Sequence, residues 1–172
     1  VAAVDVARAV IARFPPEAWV TAVAVSGAES GWERAPAPAD RCGGVAGPCS
    51  LACQGYCSFG PFQVNVCAHG ALMRQLTGSP SPCAWKAWLE DYGHAAQAAY
   101  LVSNGGRDWS PWTTYTRGTY RRFIPQARSA IAAAGATPPQ GPAAVAPKTI
   151  FYATLGVILV LAAIESVEEV TA

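Results

Sequence analysis

Histidine is nearly absent from this sequence. His69 and His94 are the only two, and neither has an HxxxH or HxH partner. No histidine pair is available to hold a metal, and no Ser/His/Asp or Cys/His arrangement can be defended from spacing. Both read as surface or capping histidines. Lysine is equally scarce, two against ten Arg, and the formal net charge is only +1. A strongly cationic face for nucleic acid is therefore not indicated. There is no phosphate loop and no internal repeat. No signal peptide is visible at the start, because Asp5 and Arg8 interrupt the first stretch before an apolar core of signal length. The sequence begins at Val1 without Met, so a signal already removed stays open as well.

What is present suits one domain with a real core, since 172 residues do not suffice for two large ones. Six cysteines stand at Cys42, Cys49, Cys53, Cys57, Cys67 and Cys83. A four-thiolate zinc site shows tight C-x2–4-C pairs separated by a longer gap, and Cys49-x3-Cys53-x3-Cys57 does not have that form. Disulfides and an oxidising setting are the expectation, with no metal and no cofactor. Cys67 and Cys83 flank one helical stretch and pair either with each other or with the loop before it.

Val4, Ala7, Val10, Ile11 and Phe14 repeat at helical spacing. Pro15-Pro16 ends that helix and starts another. Its stretch Ala18–Ala28 is almost wholly apolar, which reads as a buried helix closing at Glu29-Ser30-Gly31. From Glu33 to Ser58 there is no helical period, but four Cys, four Gly and three Pro, the composition of a cross-linked loop. Three helical stretches follow, around Leu72–Leu76, Trp85–Tyr92 and Ala95–Val102. Arg107–Gly118 is an aromatic loop. A last helix is expected over about Thr119–Ala134, with a kink or a late start at Pro125 and a cap at Gly135. The domain thus covers 1–135.

Residues 136–147 carry four Pro and form a stiff linker. Thr149–Ile164 is then sixteen residues without a charge, short of the roughly 20 that span a bilayer unless flanking residues help. Its place after the linker predicts a transmembrane helix over 148–165, with an acidic tail over 166–172 and a lipid membrane as a partner.

Glu29 is the carboxylate that stands out. At the end of an apolar helix, desolvation and the negative end of the helix dipole both disfavour its charged form. A carboxylic acid that keeps its proton near neutral pH is what glycosidic cleavage needs. Ala28-Glu29-Ser30-Gly31-Trp32, then Ser58-Phe59-Gly60-Pro61-Phe62-Gln63-Val64-Asn65, resembles the lytic transglycosylase and goose-type lysozyme superfamily. Asn104-Gly105-Gly106-Arg107-Asp108-Trp109-Ser110-Pro111-Trp112 is similar to the G-G-x-x-W-x-P-W loop of its phage-associated members. The resemblance implies a mainly α, lysozyme-like fold with little β. It implies Glu29 as the acid, Ser58 and Gln63 as residues that shape the cleft and bond the substrate, Asn65 as support for the turn, and Tyr115 near the acid. The four-cysteine insertion departs from the pattern.

Of the aromatics, Trp85 and Trp88 fit a helix face in the core. Trp109, Trp112 and Tyr115 lie in the loop, where sugar rings stack on exposed rings; Trp109 and Tyr115 are the substrate candidates, and Trp112, beside Pro111, reads as packing. The possible carboxylate partners of Glu29 are Glu33, Asp40, Asp91 and Asp108, and none lies in a motif that fixes it nearby. A single-acid mechanism that closes a 1,6-anhydro ring on MurNAc is preferred to two-carboxylate hydrolysis. The partners would be peptidoglycan glycan strands and, in a virion, other virion proteins. Lys148 before the span and Glu165, Glu168 and Glu169 after it put the domain on the cytoplasmic side. That suits a bacteriophage particle with its own membrane, or, with an N-terminal signal removed, the cell envelope of a bacterium. An inactive lysozyme-like module that binds glycan or serves the virion structurally is the alternative of another class.

Overall fold

The computed structural model describes residues 2–35 and 53–138, all within one compact unit, Val1–Pro139. Cys42, Cys49, Asp40, the rest of the linker, the apolar run over 148–165 and the acidic tail lie outside the described residues. Among those described, no helix is long and apolar enough to cross a membrane.

The described residues form seven α-helices and a small hairpin: α1 Ala2–Ile11, α2 Trp19–Ser30, β1 Ser58–Phe59, β2 Val64–Asn65, α3 Gly70–Thr77, α4 Pro82–Leu89, α5 Tyr92–Val102, α6 Thr113–Thr116 and α7 Ile124–Ala133. The mainly helical expectation with little β therefore holds. The centre is α2. Every residue from Ala22 to Gly27 is buried, as a helix that is apolar on all sides requires. α1, α7 and the 3-10 turn Thr119–Phe123 pack against it, and α1 also packs on α5 and α7.

Local chemistry explains the boundaries. Pro15-Pro16 opens a 3-10 turn, Pro16–Ala18, that leads into α2. Gly31, at φ 65°, closes α2 in the left-handed region, where a side chain would be strained. Asp91 caps α5 by accepting the His94 backbone N–H at 3.0 Å. Pro125 imposes the late start: Thr119–Phe123 is 3-10, and the α-helical part begins at Ile124 with the proline in its first turn.

One expectation changes and one open alternative is decided. The aromatic loop is not irregular throughout, because Thr113–Thr116 forms the short helix α6. Of the two pairings open to Cys83, the loop supplies its partner: Cys53–Cys83 is a disulfide with its Cα atoms 4.8 Å apart. It joins the hairpin region to the start of α4. Cys57 and Cys67 are disulfide-bonded too, and none of the described cysteines is free.

Candidate active site

Three chain segments meet at the C-terminal end of α2. The first is the helix end itself, which carries Glu29, half-buried. The second is the hairpin, antiparallel with Ser58 opposite Asn65 and Phe59 opposite Val64. The third is the aromatic loop with α6.

Hydrogen bonds to two successive carbonyls hold the hairpin turn. The Pro61 carbonyl accepts from Ser26 Oγ at 2.9 Å and from Ser30 Oγ at 2.8 Å, both on α2. Ser30 shares its hydrogen with the Ser26 carbonyl at 3.0 Å. The Phe62 carbonyl accepts from Trp112 Nε1 at 2.7 Å. The turn is thus fastened to α2 on one side and to the aromatic loop on the other. Asn65 supports the hairpin from below: its Oδ1 accepts the backbone N–H groups of Cys67 at 2.9 Å and Ala68 at 3.1 Å.

Glu29 meets the third segment directly. Thr114 Oγ1 donates to Glu29 Oε1 at 2.5 Å. The Thr114 carbonyl in turn accepts Thr119 Oγ1 at 2.9 Å, which ties α6 to the 3-10 turn that follows. Beyond Glu29 the chain doubles back: Trp32 donates from Nε1 to the Val23 carbonyl at 2.8 Å and sets its ring edge-on to Phe123, 5.4 Å between centroids. The ring lies over Gly27, where a Cβ would stand 2.5 Å from Trp32 Cζ2. Arg34 Nε donates to the Glu90 carbonyl at 2.6 Å, so the segment after α2 is pinned to the α4–α5 junction.

The other sequence candidates fall into distinct places. Ser58 is buried, 2% exposed, in β1. Gln63 is 7% exposed and at φ 48°; its Nε2 donates to the Gly60 carbonyl at 3.1 Å, while its Oε1 is buried without a hydrogen-bond partner among the described residues. An unpaired buried amide oxygen is costly unless something donates to it. Tyr115 stacks on Tyr120 at 4.8 Å, and it is the hydroxyl of its neighbour Thr114 that is bonded to Glu29. Trp109 is not an exposed platform. It is 4% exposed, stacked on Phe14 at 5.8 Å and set against Trp112 at 5.2 Å, with Nε1 donating to the Gly106 carbonyl at 2.9 Å. The ring joins the core through Phe14, which also meets Tyr100 of α5 edge-on at 5.4 Å. Trp85 is fully buried and Trp88 half-buried against His94, in keeping with packing roles.

Of the carboxylates weighed as second groups, the three among the described residues are engaged elsewhere or exposed. Asp91 caps α5, and Glu33 is exposed. Asp108 accepts the Ser110 backbone N–H at 2.9 Å, and its hydrogen bonds to Ser110 hold its carboxyl below the usual range. Sequence reasoning missed Thr114, Ser26 and Ser30. The only signal for them was their place: two serines one helical turn apart beside Glu29, and a hydroxyl run after Trp112.

Residues 6–114 match the model of a family described as a lysozyme-like domain. The match begins in α1, takes in Glu29, the hairpin and the first part of the aromatic loop, and ends on Thr114. No curated protein matches the chain, and no solved structure matches it.

Proposed function

The chain belongs to the lysozyme-like domain family, and from that premise we propose that it cleaves the β-1,4 bond between MurNAc and GlcNAc in peptidoglycan as a lytic transglycosylase, with Glu29 as its single acid and base. The observation that carries this reading is the bond between Thr114 and Glu29 at the meeting point of the three segments. Glu29 gives its proton to the glycosidic oxygen as the C–O bond breaks, and the substrate's acetamido group stabilises the positive sugar carbon. The Glu29 carboxylate then takes the proton of the MurNAc C6 hydroxyl, whose oxygen attacks C1 and closes the 1,6-anhydro ring. Thr114 suits both stages, because a hydroxyl donates to a carboxylate and accepts from a carboxylic acid. Ser58 and Gln63 shape the cleft wall, and the buried Oε1 of Gln63 is ready for a substrate N–H. Mass spectrometry of muropeptides released by the chain tests the reaction. Products ending in 1,6-anhydro-MurNAc, one water lighter than hydrolytic products, support it; reducing ends throughout refute it.

The setting is part of the same proposal. The uncharged run over 149–164 anchors the enzyme in a membrane, and a phage particle with an internal membrane is the preferred site, where the enzyme meets the wall only at infection. Purified virions should contain the chain, released by detergent and not by salt. Its presence only in uninfected cell envelopes would contradict the virion setting and leave the enzyme standing.

A further inference from the structure

A second site lies at the other end of α2. The segment leading into this helix and the end of α5 enclose a groove of about 570 Å3, lined by Arg13, Phe14, Glu17, Tyr100, Leu101 and Arg107 among others. α2 has twelve residues, so at 1.5 Å per residue it separates the groove from Glu29 by roughly 18 Å. The groove is therefore distinct from the active site.

Its chemistry is specific. Arg13, Glu17 and Arg107 are all exposed, and none takes part in an ion pair among the described residues. Two guanidiniums and one carboxylate line one cavity without neutralising each other. Beside them Leu101, 45% exposed, is the one large hydrophobic side chain left open among the described residues. Guanidinium forks match carboxylates in two-point geometry. The carboxylate of Glu17 calls for an ammonium and disfavours a ligand carrying only negative charge. A short apolar surface completes the set.

We propose that this groove binds the peptide stem of peptidoglycan: carboxylates to Arg13 and Arg107, the free amine of the diamino acid to Glu17, and an alanine methyl against Leu101. The assignment rests on the wall being the substrate, as proposed above. The aromatic loop gives the two sites a common frame. Gly106 and Trp109 at its start pack on Ala18 and Phe14 beside the groove, and Thr114 after it bonds Glu29. A glycan strand lying along that loop would present a stem at one end and a scissile bond at the other.

Calorimetric titration of the full chain with a sugar-free stem peptide tests this. The wild-type chain should bind it, Arg13→Gln and Arg107→Gln should each weaken binding about tenfold or more, and the double variant should abolish it. Glu17→Gln should weaken the peptide with a free amine and leave its N-acetylated form unaffected. These side chains are exposed, and circular dichroism of each variant checks that the fold is kept. No binding at millimolar peptide, or unchanged binding in the double variant, overturns the proposal. So does inorganic phosphate binding as well as the peptide and being lost in the same variants, which would mark a simple anion site. Glu29→Gln, titrated in parallel, should bind the peptide normally. A chain that binds peptide but releases no muropeptides would overturn the enzymatic reading and keep the groove; an active chain that ignores the peptide would do the reverse.

Discussion

Thr114 and Glu29 are 85 positions apart in sequence and 2.5 Å apart in space, hydroxyl to carboxylate. This bond joins the end of α2 to α6 within the lysozyme-like domain. Removing the hydroxyl with Thr114→Val should lower kcat about 10- to 100-fold, since a hydrogen bond to a charged group is worth roughly 1.5–3 kcal/mol. A donor to the carboxylate favours its charged form, so the variant should also raise the apparent pKa of the acid in the kcat/KM profile. Thr114→Ser should restore both. An unchanged profile in the valine variant would make Thr114 a packing residue only.

Gly27 is required by the fold-back of Trp32. A Cβ there would lie 2.5 Å from Trp32 Cζ2 and 2.9 Å from Phe123 Cδ1. The ring cannot withdraw without breaking its bond to the Val23 carbonyl. Alanine gains about 1 kcal/mol of helix propensity over glycine, but overpacking costs about 1–3 kcal/mol. Gly27→Ala should lower Tm by several degrees in thermal unfolding. A stabilised variant would show that the ring moves freely.

His69 gives a pH dependence with a definite sign. Burial lowers its pKa from the usual 6.5. The unfolded chain therefore binds more protons than the folded one in the window below 6.5, and stability falls as pH drops through it. His69→Asn keeps a good residue at the start of α3 and removes the titration. Thermal melts at pH 7 and pH 5 should show a smaller loss for the variant than for the wild type. Equal losses would assign the dependence to another group.

The cysteine region predicts a mass. All four described cysteines are oxidised. If Cys42 and Cys49 are bonded as well, the non-reduced chain should lack six hydrogens relative to the reduced one. Two free thiols after denaturation, or stoichiometric zinc, would contradict three disulfides.

The helices were legible because their signals are local. Apolar spacing marked α1, prolines marked the entries to α2 and α7, and the uninterrupted apolar stretch before Glu29 marked the buried centre. The family motifs drew attention to the end of α2 at Glu29 and to the hairpin, which the structure brings together. What stayed hidden were bonds between segments far apart in the chain. Nothing near residue 114 points to residue 29, and nothing in Pro61 announces that its carbonyl takes two serine hydroxyls. Trp109 illustrates the opposite error. An aromatic in a loop reads as exposed, yet this loop turns inward where Phe14 offers a ring to stack on. Such placements follow from how α1, α2 and α5 pack, which no local pattern encodes.

The central claim is that Glu29 moves the proton. Glu29→Gln keeps the shape of the side chain and removes the acid. Clearance of purified cell walls by the variant, with circular dichroism to confirm its fold, is the direct measurement. The account predicts activity lower by several orders of magnitude in a folded protein. Clearance at a rate comparable to the wild type would place the acid elsewhere.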